Sequence, residues 1–212
     1  MSQPVCYEGK IQRKKILILF AHPAFQKSRC NSRLVAAVRD MENVTFHDLY
    51  EIYPDFQIHV SREQQLLVDH DVIVFHHPFY WYSSPALLKE WQDLVLEHGF
   101  AYGPEGTALK DKWLLSAITT GGGEEAYRHK DTHHFTIPEL LQPFEQTAWL
   151  CKMVYLPPFV VHGVQKLSDD KIGHCATSYA RVIAGLRDNL LTPENWKHKV
   201  YINDGTGGNN HE

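Results

Sequence analysis

Apolar and polar positions alternate between two patterns along the chain. Short continuous apolar runs occur at KKILILF (14–20), DVIVFH (71–76) and Trp113 to Thr119. Runs this brief, rich in Val, Ile and Leu, predict strands buried on both faces of a parallel sheet. Val44 to Leu49 is a weaker strand. Val154 to His162 is the last one, with Pro157-Pro158 distorting it or confining it to an edge. Between these runs the apolar period is helical. One helix begins at Asn31, a suitable cap, with Leu34, Val38 and Met41 on one face. Ser61 to Asp69 is a short helix. Pro85 opens another in its first turn, with Leu87, Leu88, Trp91, Leu94 and Val95 facing inward. Glu139 to Cys151 stacks Leu141, Phe144, Ala148 and Cys151. Asp169 to Leu190 places Ala176, Tyr179, Ile183, Leu186 and Leu190 on one stripe.

Strand and helix therefore alternate, which implies right-handed crossovers and an α/β domain with helices on both faces of a parallel sheet. No repeat or linker interrupts the pattern. We expect a single domain over residues 1–212, with its core at about 14–190, an N-terminal extension (1–13) and a C-terminal tail (191–212) mobile at its Gly-rich end. Sheets of this kind bind ligands at the carboxyl ends of their strands. The segments that matter are then Ala21 to Asn31, His77 to Ser84 and Thr119 to His134.

Composition narrows the function. Of 212 residues, 43% are hydrophobic and 22% charged, as in a globular domain. Lys and Arg number 21 against 25 acidic residues, a net charge of -4 that provides no general attraction to nucleic acid or anionic lipid. The longest apolar run, Ile16 to Ala21, cannot span a bilayer. Met1 to Arg13 lacks the apolar core of a secretory signal, so a cytoplasmic location is expected. Cys6, Cys30, Cys151 and Cys175 form no CxxC and are expected as reduced thiols. Histidine is abundant, at 14 residues, yet there is no HExxH. Both His76-His77 and His133-His134 are adjacent pairs, and neighbours on a strand face opposite ways. No metal site is expected.

The first loop has neither GxGxxG nor GxxxxGKS. It offers Ser28 and Asn31 beside a helix start, which suits one phosphate bound without a lysine, or simply a capped helix. The second loop, Phe79-Tyr80-Trp81-Tyr82, is either a wall for a flat ring or an interface. The third, Thr119-Thr120-Gly121-Gly122-Gly123, is a tight turn or a patch of main-chain donors. Tyr127, His129, His133 and His134 follow as candidate proton carriers. An aromatic wall, a glycine patch and a one-phosphate cradle at one sheet edge are what flavin mononucleotide (FMN) requires. Cys30, near a helix N-terminus, is either an acidified thiol or a small packing residue.

These segments also carry a resemblance. ILILFAHP (16–23), DLYEIYPDF (48–56), DVIVFHHPFYWYSSPALLKEW (71–91), HGFAYGPEGTALKDK (98–112) and TTGGGEEAY (119–127) resemble the flavodoxin-like NAD(P)H:quinone oxidoreductases. Within them the chain is most similar to ancillary proteins of bacterial glutathione-regulated potassium-efflux systems. The resemblance spans roughly Lys15 to Arg187. It implies a five-stranded sheet of order 2-1-3-4-5, a homodimer, FMN as cofactor, NADH or NADPH as co-substrate and a quinone as acceptor. His22, Ser28, Arg29, Cys30 and Asn31 would hold the phosphate and ribityl chain. Phe79, Tyr80, Trp81 and Tyr82 would border the ring, and Thr119, Thr120, Gly121 and Gly122 its pyrimidine edge. Tyr127 and His133 have the spacing of a Tyr–His pair that assists at the flavin in those reductases, although the residues between them depart from the reductase pattern. The alternative it implies is a regulatory subunit of a membrane potassium antiporter, held at the inner face of the membrane through that partner.

Overall fold

The computed structural model describes residues 13–204. Cys6, most of the expected N-terminal extension and the Gly-rich end of the tail lie outside the described residues. The sheet holds β1 (Ile16–Phe20), β2 (Val44–Asp48), β3 (Val72–Pro78), β4 (Trp113–Thr119), β5 (Val154–Tyr155) and β6 (Phe159–Val161). Its order is β2-β1-β3-β4-β5, with β6 also on β4, and every pairing is parallel. This is the flavodoxin-like arrangement expected. β5 and β6 are one edge strand interrupted at Pro157-Pro158, since proline cannot donate to the ladder.

Each central strand alternates its side chains between two cores. Leu17, Leu19, Ile73, Phe75, Leu114 and Ile118 face one side, where they meet α2 (Leu49–Ile52), α3 (Val60–Asp69), α4 (Ala86–Val95), α5 (Ile137–Leu140) and α6 (Gln142–Leu150). Ile16, Ile18, Val72, Val74, Leu115 and Ala117 face the other, against α1 (Arg29–Ala36) and α7 (Asp169–Arg187). Both faces being covered explains why these strands read as continuous apolar runs.

Some expectations are corrected. Ser28, not Asn31, caps α1: its Oγ accepts the Asn31 N–H, and Asn31 is buried inside the first turn. The helix expected over 139–151 is two helices, because Pro143 cannot continue α5 and instead starts α6. Leu94 is exposed, on the outer side of α4. The expected tail contributes Trp196, on a short α8 (Pro193–Trp196), and Ile202 to the second core. Pro85 is the cap of α4 rather than its first turn.

One buried ionic cluster braces the first core. Glu63 on α3 is fully buried, and its carboxylate accepts from His47 Nε2 (2.9 Å), Tyr53 Oη (2.6 Å) and Trp91 Nε1 (2.8 Å). Burial works against the anion, but these donors outweigh it and hold Glu63 below its ordinary value of 4.5. A carboxylate with a depressed folded pKa contributes stability above its unfolded value, and that stability is lost as pH falls through the folded one. Glu63→Ala orphans three buried donors and should cost about 3–5 kcal/mol in urea denaturation at pH 7. Glu63→Gln should cost less and should flatten the loss of stability below about pH 4.5. Equal acid sensitivity in the variant would refute this role.

Candidate functional site

The order reversal lies between β1 and β3, whose outgoing chains leave in opposite directions and open a crevice at their carboxyl ends. A cavity of about 490 Å³ fills it. Four post-strand segments line this cavity. His22, Ala24, Lys27, Ser28, Arg29, Cys30 and Asn31 follow β1, Pro78, Phe79 and Tyr80 belong to the end of β3, Thr119 and Gly121 to that of β4, and Val164 and Gln165 follow β6.

The first segment makes an electropositive floor. The N-terminus of α1 points its unpaired main-chain N–H groups and the positive end of its dipole toward the cavity. Asn31 Nδ2 donates to Ser28 Oγ (2.9 Å) and Thr119 Oγ1 (3.0 Å), tying the helix start to the end of β4. His22 accepts the Ala24 N–H at Nδ1 (3.1 Å), and burial lowers its pKa, so the ring is neutral with its hydrogen on Nε2. Arg29 leans outward to Asp169 (2.6 Å). Burial pushes the Cys30 thiol up to about 12, with Cys175 adding to the rise and Arg29 opposing it. Cys30 is thus a packing residue beneath the cradle rather than an acidified nucleophile.

The aromatic segment is bent sharply. Ser83 N–H donates to Tyr80 O (3.0 Å), and the two residues between, Trp81 (φ 47°) and Tyr82 (φ 63°), are both left-handed. This turn ordinarily takes Asn-Gly; two bulky aromatics there are strained. Phe79 is buried and Tyr80 half exposed at the cavity, whereas Trp81 is 91% exposed and lines no part of it.

The third segment is stitched to the chain after β6. Thr120 N–H donates to Val161 O, Gly163 N–H to Gly122 O and Val164 N–H to Thr120 O. Thr120 is fully buried, with its Oγ1 on Gly122 O (2.8 Å), so of the glycine patch Gly121 alone borders the cavity. Beside it, the His133 ring stacks on Tyr127 with centroids 4.4 Å apart, and Tyr82 Oη lies 3.3 Å from His133 Nδ1. Both rings sit over Gly122, where a Cβ would come within 2.8 Å of His133 Nε2. Burial raises the Tyr127 phenol above its usual 10, partly offset by Thr120, so it stays protonated.

The structure thus gathers His22, Ser28, Arg29, Cys30, Asn31, Phe79, Tyr80, Thr119 and Gly121 around one cavity. Thr120, Gly122, Tyr127, His133, Trp81 and Tyr82 lie beside or behind its wall. Sequence reasoning missed Lys27, Val164 and Gln165. Reading the last strand as running to His162 hid the loop that follows β6. The adjacent pair His76-His77 does face opposite ways: His76 meets Tyr179 on one side and His77 meets Phe144 on the other.

A sequence profile of a family described as having the flavodoxin-like fold matches residues 14–183. Among curated relatives, the glutathione-regulated potassium-efflux system ancillary protein KefG of Escherichia coli (strain K12 / DH10B) is 45% identical over 193 residues, 91% of this chain and 98% of that one. Among solved structures, general stress protein 14 of Treponema denticola, in complex with FMN, is 36% identical with a TM-score of 0.78, covering 81% of this chain and 99% of that one. A protein of P. pentosaceus described as an NADPH-quinone reductase is 37% identical with a TM-score of 0.73, covering 79% and 96%. A chain from a structure described as a thermophilic tryptophan halogenase of Streptomycin violaceusniger is 41% identical with a TM-score of 0.77, covering 79% and 97%. One fold carries several names, so the reaction must be argued from the site.

The strained turn gives a test of its own. Trp81→Asn puts a residue that tolerates the left-handed conformation at a position with no packing to lose within the chain, and should stabilise the monomer by about 1 kcal/mol. Thermal unfolding of the ligand-free protein, diluted until it is monomeric, measures it. An unchanged or lower midpoint would show that the turn stores no strain.

Proposed function

The chain belongs to the flavodoxin-like family whose profile it matches over residues 14–183, and from that we propose that it is an FMN-dependent NAD(P)H:quinone oxidoreductase. One observation carries this reading. An anion cradle at Ser28 and α1, aromatic side chains at Phe79 and Tyr80, and an open glycine at Gly121 border a single cavity. These are the needs of a planar ring with one phosphate arm. The fit has a further sign: a Cβ built on Gly121 would meet only Gln165 Nε2, at 3.8 Å. Protein packing does not demand a glycine there, whereas close approach of a ligand to the main chain does. The FMN complex and the NADPH-quinone reductase among the structural neighbours support the same reading.

FMN held there would supply two-electron hydride chemistry between a nicotinamide and a quinone using one face in turn. The protein's residues bind, orient and manage protons. Ser28, Lys27, Arg29 and the α1 N-terminus bind the phosphate, and His22, neutral, offers one N–H donor. Phe79 and Tyr80 exclude water from the ring's side. The main-chain N–H at Gly121 is placed to stabilise negative charge at the ring's polar edge. Tyr127 holds a proton on its phenol, and His133, stacked on it, exchanges protons with the quinone oxygens. Tyr82 steadies His133 through its hydroxyl.

A second reading stands on the curated relatives, which are named as ancillary proteins of a potassium-efflux system. In it the chain docks on the cytoplasmic side of an antiporter and regulates it, with or without turnover. No helix among the described residues is long and apolar enough to cross a membrane, so on this reading the antiporter makes the membrane contact. The exposed Trp81 turn suits burial against a second copy in a homodimer.

Titrating apoprotein with FMN should quench flavin fluorescence, and the holoprotein should oxidise NADPH or NADH with menadione in parallel double-reciprocal lines. Tyr127→Phe should lower kcat by roughly 10²-fold while leaving FMN affinity unchanged. Apoprotein that ignores FMN would refute the reading. Membrane pull-down of an antiporter by a turnover-deficient holoprotein would assign the second role independently.

A further inference from the structure

Beneath the cradle runs a buried chain of hydrogen bonds that the chemistry above does not use. Asn31 sits in the first turn of α1 at 1% exposure. Its amide nitrogen spends both hydrogens, on Ser28 Oγ (2.9 Å) and Thr119 Oγ1 (3.0 Å). Its Oδ1 lies 3.0 Å from Nε2 of His76 on β3. His76 is fully buried, and its Nδ1 lies 3.3 Å from the hydroxyl of Tyr179 on α7, which is buried as well. Three elements, α1, β3 and α7, thus meet in one polar file inside an otherwise apolar core.

The direction of this file can be worked out. Burial keeps His76 neutral, so its ring has one N–H and one lone pair. The buried Tyr179 hydrogen needs an acceptor, and His76 Nδ1 supplies it. The ring hydrogen is then on Nε2 and donates to Asn31 Oδ1. That fixes which end of the amide faces the cradle. Ser28 Oγ now accepts two hydrogen bonds, from the Asn31 main-chain N–H (3.3 Å) and from Asn31 Nδ2. With both lone pairs taken, its own hydrogen must point elsewhere, and Ser28 lines the cavity.

We propose that Tyr179, His76 and Asn31 form a polarity-setting relay that makes Ser28 an obligate donor, so that the cradle selects a ligand arm bearing only acceptors, an ionised phosphate monoester, over the same arm ending in a hydroxyl. His76 and Tyr179 are positioning residues, since neither touches the cavity. The relay rests on the FMN reading and deepens it: it concerns why the phosphate is preferred, not whether the ring binds. A reversed relay, with Asn31 turned over, would leave the Ser28 hydrogen occupied inside the protein and a lone pair facing the phosphate, which repels it.

The test compares FMN with riboflavin, which differs only in that arm. Dissociation constants for both are measured on the wild-type protein, His76→Leu, His76→Gln and Tyr179→Phe, with unfolding curves run alongside. The wild type should prefer FMN. His76→Leu should lose about tenfold of that preference, with riboflavin affinity unchanged. His76→Gln, whose amide N–H can reach Asn31 Oδ1, should restore it. Tyr179→Phe, the gentler change, should lose about threefold and serves if His76→Leu does not fold. A preference for FMN unchanged in the folded variants, or FMN and riboflavin weakened equally, would overturn the relay while leaving the FMN reading intact. A wild-type protein that binds neither would instead overturn that reading, and the relay with it.

Discussion

A strand buried on both faces must satisfy every main-chain N–H and C=O through its two neighbours. β1 and β3 meet this demand by pairing with each other over the whole of β1, Ile16 to Phe20 against Val72 to His76. β2 is added on one side and β4 on the other. Because the sheet grows outward in both directions from this pair, the chains leaving β1 and β3 turn away from each other. The crevice between them is a consequence of pairing rather than a separate feature. The start of α1, the turn after β3 and the first residues after β4 are brought to one place by the same ladder. Shifting β1 by one residue would exchange Leu17 and Leu19 with Ile18, and so mix the two cores along with the site.

This explains which parts of the molecule were legible in the sequence. The three central strands showed themselves because full burial permits no polar alternation. Helical faces were legible where one side meets a core, as with Leu141, Phe144, Ala148 and Cys151. Breaks were harder. Pro143 ends one helix and starts another within a single apolar stripe, so the period runs through the interruption. Trp196 and Ile202 gave no periodic signal, being isolated anchors in a polar segment, yet they close the second core.

The candidate site was partly legible for the same reason. Loops that follow strands in an α/β chain are the places to look, and nine of the expected residues border the cavity. What composition cannot reveal is depth. Thr120 and Gly122 lie one step from Thr119 and Gly121 in the chain, but the stitching to the loop after β6 turns them inward. Partners remote in sequence were also hidden. Asn31, His76 and Tyr179 are separated by 45 and 103 residues, and no local pattern links an amide in the first turn of α1 to a phenol near the other end of the chain.

Histidine abundance acquires a physical meaning from this. The count of 14 raised the question of metal or proton chemistry, but burial holds His76 down to about 3 and His77 and His162 to about 4, so these rings are neutral, and His76 is a polar connector between Asn31 and Tyr179. A neutral imidazole both donates and accepts along a fixed line, which a serine hydroxyl, free to rotate, does not enforce. His47 serves differently, pairing with Glu63 in the first core. The more exposed His133, close to Tyr82 and stacked on Tyr127, is the histidine of the site left in contact with solvent. The division is one of depth: His76, beneath the sheet edge, joins α1 to α7, and His133, at its surface, keeps contact with solvent. On the proposed reading, acid–base chemistry at this crevice falls to His133 and Tyr127, while His76, through Asn31, sets how the cradle beside them presents its donors.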